Sequence, residues 1–175
     1  MTPYFELERM AGELTSYYKC ILCGSLGLHL TFPEVLDKPP HDADFITDCN
    51  ADNLWSIIGF LQQNGYTVFS WKDPIVEGFD REALNGRVYI RGVKYINGYS
   101  PAVIDVTYEL ICFPVEELYA LTVLKNGIRI LNREGYIFAL GLCEKEKHLT
   151  ERDRLLKIGK SAGEQCYNAN QFSIW

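Results

Sequence analysis

The sequence predicts an α/β (α+β) domain in which a mixed β-sheet is flanked by helices and followed by a helical C-terminal third. Two patterns lead to this prediction. Up to about residue 110, short apolar or alternating runs typical of strands are interspersed with segments of helical period, and beyond residue 114 the helical period continues to about residue 160. Since 175 residues is a usual single-domain length, we expect residues 1–175 to form one domain, with a core at about 20–110 and C-terminal helices at about 114–160.

The N-terminal half predicts helices and strands in turn. Apolar residues among charges from Phe5 to about Tyr18 predict a first helix, and Gly24-Ser25 ends the apolar run that follows it. The other elements predicted in this half are the strand Cys20–Cys23, a short helix Leu26–Leu30, the strand Asp42–Thr47, a helix Leu54–Gln63 capped by Asp52 or Asn53, and the strand Tyr66–Trp71.

The second half predicts a hairpin and then helices. Asn97-Gly98 is a turn sequence that favours a hairpin between two alternating segments, Gly86–Ile96 and Ala102–Tyr108. The helices predicted after this hairpin are Val115 to about Lys125, Asn132 to about Lys147, and Thr150 to about Lys160, the last with a start similar to a capping box.

Composition excludes several classes of protein. With 47% hydrophobic and 13% aromatic residues the chain is not disordered, and a net charge of −6 is unlike that of a histone-like nucleic-acid binder. The N-terminal segment lacks the basic region of a signal peptide, and no apolar run reaches the length of a membrane span. We therefore expect a cytoplasmic protein with no membrane partner.

The pair Cys20 and Cys23 has the spacing of a zinc or redox motif. However, the pair lies within a predicted buried strand, where residues three apart point to opposite faces, and no second such pair or His pair completes a zinc site. We therefore interpret both cysteines as structural thiols.

Two short motifs suit the binding of a phosphate-bearing ligand. Gly24-Ser25 follows a strand and opens a helix, so its free backbone N–H groups can approach an anion. Asp42 and Asp44 are two apart on a predicted strand, so their carboxylates project from one face. Paired carboxylates repel each other unless a cation such as Mg²⁺ lies between them, although a merely solvated pair is the alternative.

Asp105 is the third candidate, because it lies within the apolar strand Ala102–Val106, where an ionised side chain is costly unless it is paired or bound to metal. If this strand lies beside the one that carries Asp42 and Asp44, three carboxylates surround one point. Such a site can hold two metal ions that stabilise a phosphoryl displacement.

These residues resemble the nucleotidyltransferases of the DNA polymerase β superfamily. The signature of that family is a Gly-Ser after the first strand, an Asp-x-Asp on the next and a third Asp on a later strand, here Gly24-Ser25, Asp42-Ala-Asp44 and Asp105. The Leu-rich helix, the long loop before the Asp pair and the helical C-terminal third are most similar to the small AbiEii-type or minimal nucleotidyltransferase-like proteins. The resemblance covers roughly residues 20 to 160 and implies a nucleotidyltransferase-like sheet.

The resemblance also implies roles for single residues. Gly24 and Ser25 would hold the triphosphate of an NTP such as ATP, Asp42 and Asp44 would bind two Mg²⁺ ions (or Mn²⁺), and Asp105 would complete the metal site and help to deprotonate the acceptor.

Two further residues are candidates for nucleotide binding. His41 stands where the family commonly has Ser or Thr, and it is either a phosphate contact or a loop residue. Lys125 approximately matches a Lys that the family often places on the helix after the third carboxylate.

The implied reaction is transfer of a nucleoside monophosphate to an acceptor hydroxyl on an RNA, a protein or a small molecule. One alternative is a non-catalytic member of the fold, such as a nucleotide-binding module or a toxin–antitoxin component. A glycosyltransferase that uses Asp-x-Asp is a further alternative, but it explains neither Gly24-Ser25 nor Asp105.

A basic and aromatic segment remains without an assigned role. Arg87, Tyr89 and Arg91 share one face of a predicted strand with Lys94 close by, which predicts either a surface for a base or nucleic-acid backbone or a solvated outer face. The sequence does not indicate an oligomeric state.

Overall fold

The computed structural model describes residues 2–48, 50–84, 89–107, 115–143 and 145–158. Its α-helices are α1 (Pro3–Tyr17), α2 (Gly24–Thr31), α3 (Ala51–Gln63), α4 (Val115–Tyr119), α5 (Arg133–Gly141) and α6 (Glu146–Ile158). Its strands are β1 (Cys20–Cys23), β2 (Asp42–Thr47), β3 (Thr67–Ser70), β4 (Asp73–Pro74), β5 (Tyr89–Ile96), β6 (Ser100–Thr107), β7 (Thr122–Lys125) and β8 (Ile128–Leu131). Within these ranges, none of the helices has the length and hydrophobicity that a transmembrane span requires.

The strands of the described ranges form one eight-stranded sheet in the order β4-β3-β5-β6-β2-β1-β8-β7. The pairs β2 with β6 and β1 with β8 are parallel, and the other neighbouring strands are antiparallel. A mixed sheet flanked by helices confirms the predicted fold class. The parallel pair β2 and β6 sets the two strands that carry the predicted carboxylates side by side.

Helix α1 covers one face of the central strands. Its apolar stripe, which includes Leu7, Met10 and Leu14, is fully buried and packs against strands that include β6 and β8. Burial of this stripe rather than intrinsic propensity is the main source of stability for such a helix. One face of β6 and β8 is therefore buried beneath α1.

The start of α3 differs from the prediction. The side chain of Asn50 accepts hydrogen bonds from the backbone N–H groups of Asp52 and Asn53, so Asn50 is the cap and the helix begins at Ala51. Neither Asp52 nor Asn53 is the cap, because the residue before both already satisfies the free N–H groups of the first turn.

The predicted helix from Val115 to Lys125 is wrong in its second half. Helix α4 ends at Tyr119, and a β-hairpin, β7 and β8, follows. Asn126 and Gly127 form its turn with φ angles of 52° and 80°, a conformation that Asn-Gly sequences favour in tight hairpins. The β-branched residues on both sides of this turn, among them Val123 and Ile128, belong to strands rather than to a helix.

The last two predicted helices also have different bounds. The segment from Asn132 to Lys147 is divided between α5, which ends at Gly141, and α6, which begins at Glu146. Thr150 lies inside α6, where its hydroxyl donates to the carbonyl of Glu146 instead of capping a new helix. The predicted end at Lys160 lies outside the described residues.

The two cysteines of β1 have separate environments. The thiol of Cys20 donates to the carbonyl of Leu14, and that of Cys23 donates to the carbonyl of Asp44. Burial raises the pKa of Cys20 to about 12 and raises that of Cys23 well above its usual range, so both remain thiols at neutral pH. This agrees with the structural interpretation of the pair.

Candidate active site

A row of side chains crosses four neighbouring strands. Asp44 on β2 pairs with Cys23 on β1 and with Asp105 on β6, and Asp105 pairs in turn with Arg91 on β5. Residues directly opposite each other in neighbouring strands project to the same face, and Asp42 joins them because it is two residues before Asp44. The row is thus fixed by strand register.

This face of the sheet is the one turned away from α1. Lys94 lies three residues after Arg91 on β5, and its ammonium group binds the Glu6 carboxylate of α1 at 2.9 Å. Since side chains alternate along a strand, Lys94 and Arg91 point to opposite faces. Lys94 therefore does not belong to the basic surface that the sequence predicts around Tyr89 and Arg91.

The three predicted carboxylates lie together. Asp42, Asp44 and Asp105 each offer one oxygen, and these oxygens are within 4.8 Å of one another. Burial, followed by the charges of Asp42 and Asp105, raises the pKa of Asp44 to about 7. The positive charges of Lys147 and Arg91 oppose this rise without cancelling it. The cluster therefore carries an excess of negative charge in the absence of a further cation.

Asp105 has a bidentate cation partner. The Arg91 guanidinium donates from Nε to Oδ1 at 2.8 Å and from Nη2 to Oδ2 at 2.7 Å, while Asp105 itself is buried. The same guanidinium lies 5.4 Å from the ring centroid of Tyr89, within the range of a cation–π contact. Burial and the charge of Asp105 raise the pKa of Tyr89 to about 12.

Gly24 brings the start of α2 against the carboxylates. Its φ angle is +63°, and a Cβ atom built on it would come within 2.0 Å of Asp44 Oδ2. Only glycine combines this conformation with so close an approach. The hydroxyl of Ser25 is 3.5 Å from Asp42 Oδ1, so both residues of the Gly-Ser pair lie beside the cluster.

Tyr136 of α5 supports this turn from below. Its buried hydroxyl donates to the carbonyl of Gly24 at 3.5 Å, and a Cβ atom on Gly27 would come within 2.0 Å of that hydroxyl. Burial raises the pKa of Tyr136 well above its ordinary value, so the group stays a donor. The glycines of α2 thus serve close packing on both sides of the helix.

The sequence matches no protein-family model and no curated protein. The structure is similar to the crystal structure of JHP933 from Helicobacter pylori, with a TM-score of 0.51 and 14% identity. It is also similar to that of a candidate nucleotidyltransferase from H. pylori, with a TM-score of 0.53 and 16% identity. Each alignment covers 88% of this chain, which spans 65% and 67% of the lengths of those two proteins. The chain has a nucleotidyltransferase-like fold.

The two further residues predicted to bind nucleotide, His41 and Lys125, lie in different parts of this fold. His41 directly precedes Asp42 and lines a cavity of about 510 Å³ that is also bordered by Tyr4, Arg91 and Val103. Arg87 lies outside the described residues.

Lys125 lies at the end of β1 opposite to the one that leads into Gly24. It pairs with Ile128, and β8 runs parallel to β1 with Ile130 opposite Leu22, so Lys125 lies level with the start of β1 rather than with Gly24 at its end. The family Lys is expected on a helix, whereas this residue ends a hairpin strand.

The donor set of the cluster fits a hard divalent cation. Carboxylate oxygens are the ligands that Mg²⁺ and Mn²⁺ prefer, and the pKa of Asp44 is raised by burial and, after it, by the negative charges of Asp42 and Asp105. A Cβ atom at Gly24 would collide with Asp44 Oδ2, so a side chain at this position would force the Asp44 carboxylate to move.

The sequence does not predict that Arg91 and Lys147 belong to this site. The sequence predicts Arg91 on a stacking or solvated face, whereas the structure pairs it with Asp105. Lys147, whose charge reaches Asp44 from α6, has no predicted role in the site. A basic residue opposite an Asp in an apolar strand of a hairpin would predict an ion pair. This prediction can be made only when the register of the two strands is known.

Proposed function

We propose that this protein is a cytoplasmic, Mg²⁺-dependent nucleotidyltransferase that moves a nucleoside monophosphate from an NTP to an acceptor hydroxyl. The observation that carries the proposal is the cluster of Asp42, Asp44 and Asp105 against the glycine that opens α2. The fold supports it, because it is shared with a candidate nucleotidyltransferase. The subgroup expected from the sequence, the small AbiEii-type proteins, is part of the proposal.

The start of α2 is suited to the triphosphate. The first N–H groups of a helix have no partner within the helix and carry partial positive charge, which favours phosphate oxygens. Gly24 adds no side chain in front of these groups, and Ser25 offers a hydroxyl. These two residues would bind the β- and γ-phosphates while the carboxylates lie on the α-phosphate side.

Asp42, Asp44 and Asp105 would hold Mg²⁺ in this mechanism. A bound divalent ion supplies positive charge that offsets the charge developing on the phosphoryl oxygens. The acceptor oxygen forms a bond to the α-phosphorus as the bond from that phosphorus to the bridging oxygen breaks, and pyrophosphate leaves. Asp105 would accept the proton of the acceptor hydroxyl. The protein contributes mainly position and charge complementarity.

The acceptor would enter through the cavity beside Asp42. Its volume of about 510 Å³ lies in the range of small-molecule sites, and its walls combine apolar Pro101 and Val103 with polar Ser100. This cavity can admit a small molecule or the end of a larger acceptor. RNA, protein and small-molecule acceptors are therefore all included in the assay below.

The test uses NTPs labelled at the α-phosphate, Mg²⁺, and separate acceptor pools of RNA, protein and metabolites. We expect label to move to one pool with wild type and to fall about 10³-fold with Asp42→Asn combined with Asp44→Asn, because several kcal/mol of charge stabilisation are removed. Asp73→Asn, an exposed acid on β4, is the matched control and should retain activity. Equal labelling by wild type and the double variant would contradict catalysis by this site.

Calorimetry with an NTP and Mg²⁺ separates the non-catalytic alternative. Nucleotide binding that depends on Asp42 and Asp44, with no label transferred to any pool, would favour a binding module. Label transfer from a UDP-sugar in place of an NTP would favour the glycosyltransferase.

A further inference from the structure

The Asp105 carboxylate is already paired with one cation. Both of its oxygens accept a hydrogen bond from Arg91, in the bidentate geometry that makes arginine–carboxylate pairs strong. Asp42 and Asp44, by contrast, share the cluster with Asp105 but make no ion pair with an Arg, Lys or His among the described residues. The three carboxylates are therefore not equivalent toward an incoming cation.

The Arg91 side chain is far more exposed to solvent than the carboxylate that it binds. It is 44% exposed, whereas the Asp105 side chain is 8% exposed. The guanidinium also has a second favourable surface nearby in the ring of Tyr89, 5.4 Å away. Since the cation is half-exposed and the carboxylate is buried, withdrawal of the cation would require less rearrangement than movement of the carboxylate.

We propose that Arg91 acts as a resident cation that occupies Asp105 until a second divalent ion replaces it. A first ion binds at Asp42 and Asp44 with Arg91 in place, and the second requires that Arg91 withdraw from Asp105. This inference rests on the proposed function, since it concerns the same metal site. It makes Arg91 a positioning residue that sets how many ions the protein holds before its substrate arrives.

The consequence is unequal affinity for the two ions. The second ion must displace two charge-assisted hydrogen bonds and meets repulsion from the guanidinium, which together weaken its binding by about 10- to 100-fold. Removal of the Arg91 charge should restore that affinity. Removal of the Asp105 charge should weaken binding of the first ion by less than about tenfold, because Asp105 acts on that ion only through space.

The experiment is a titration of the full chain with Mn²⁺ alone, without nucleotide, followed by electron paramagnetic resonance and calorimetry. We expect one tight ion for wild type and two for Arg91→Gln, with the second bound about 10- to 100-fold more tightly than in wild type. Arg81→Gln removes another exposed arginine that is paired with an aspartate and should behave as wild type. Arg91→Lys keeps the charge without the bidentate fork, and it should lie between wild type and Arg91→Gln.

Two outcomes would overturn the inference. One is equal affinity of wild type and Arg91→Gln for the second ion. The other is a loss of more than about tenfold in the first ion's affinity on Asp105→Asn, which would make Asp105 a ligand of that ion. If neither wild type nor Arg91→Gln binds Mn²⁺, the metal site itself is refuted and the proposed function with it, whereas equal binding of two ions leaves the proposed function intact.

Discussion

Two clusters of charged side chains lie on opposite faces of the sheet, one around the single carboxylate of Glu6 and the other around Asp42, Asp44 and Asp105, and their charges are balanced differently. On the α1 face, Glu6 is 1% exposed and accepts hydrogen bonds from Arg9, Lys94 and the hydroxyl of Tyr66. Burial alone would raise the pKa of Glu6, but the hydrogen bonds from Arg9 and Lys94 hold it below its ordinary value. On the other face, burial and like charges raise the pKa of Asp44 to about 7.

The carboxylate of Glu6 is neutralised by the protein itself, whereas the three aspartates keep negative charge that their paired cation does not offset. Glu6 has two cations for one carboxylate, so it needs nothing more from solvent or ligand. The three aspartates have Arg91 as a paired cation, and the charge that remains is what a divalent ion would neutralise. Both clusters depend on β5, whose alternation presents Arg91 to one and Lys94 to the other.

The largest effect on stability should come from the cluster around Glu6. We expect Glu6→Ala to lower the free energy of unfolding by about 2–3 kcal/mol, because two partly buried cations lose their partner. Chemical denaturation measures this. Glu13→Ala removes a carboxylate that also binds Arg9 but is 36% exposed, and it should cost less than about 1 kcal/mol. Similar losses for the two variants would mean that burial of Glu6 has no special weight.

A second prediction tests the close contact between the start of α2 and the three aspartates. Gly24→Ala should weaken Mn²⁺ binding by at least about tenfold, because its Cβ atom must displace Asp44. Gly78→Ala is the control, since Gly78 also has a positive φ angle but has no atom within 4 Å of a built Cβ. Both variants have the backbone strain of about 1 kcal/mol, so only the difference in Mn²⁺ affinity reports the contact with Asp44. Equal Mn²⁺ affinities of the two variants would show that the contact between Gly24 and Asp44 has no effect on metal binding.

The third prediction concerns pH. Because the pKa of Asp44 is raised from 3.8 to about 7, the folded protein holds this proton more tightly than the unfolded chain. The stability of the metal-free protein should therefore decrease as the pH rises through this interval. Thermal denaturation in a chelator measures the decrease, which saturating Mg²⁺ should reduce by binding the ionised form. An Asp44→Asn variant with an unchanged pH dependence would assign the effect to other groups.

The smallest effect should follow Tyr136→Phe. The Tyr136 hydroxyl donates a 3.5 Å hydrogen bond to the Gly24 carbonyl, and the variant loses this bond. We therefore expect the free energy of unfolding to fall by about 1 kcal/mol. Mn²⁺ affinity should change by less than about threefold, because the residue supports the turn and does not touch the carboxylates. A larger loss of Mn²⁺ affinity than in Gly24→Ala would show that Tyr136 acts on the site directly.

The sequence is sufficient for the carboxylates and for the fold class. The two-residue spacing of Asp42 and Asp44 and the charge inside an apolar strand at Asp105 are local patterns, and alternation along a strand gives their orientation. The mixed sheet follows from where such strands and the helical periods occur. The hairpin of β7 and β8 escapes prediction because Asn126-Gly127 follows a segment of helical period, whereas Asn97-Gly98 lies between two alternating segments.

The contact of Arg91 with Asp105 could not be predicted from such local patterns. A two-residue loop at Asn97-Gly98 would pair Ile96 with Tyr99 and place Ile90 opposite Asp105. The observed register pairs Ile96 with Ser100, which shifts the strands by one residue and brings Arg91 to Asp105. One residue of loop length thus decides which face of β5 meets the carboxylate, and turn propensity alone does not determine it.

The parallel pairing of β2 with β6 also has a consequence for the order of folding. A parallel pair cannot close through a tight turn, and here α3, β3, β4 and β5 lie between the two strands in the chain. A fragment that ends before β6 would contain Gly24, Asp42 and Asp44 but neither Asp105 nor the strand that orients it. The second of the two proposed ions, which needs Asp105, should therefore bind only after this long-range pairing has formed, and its binding can serve as a late kinetic marker in refolding.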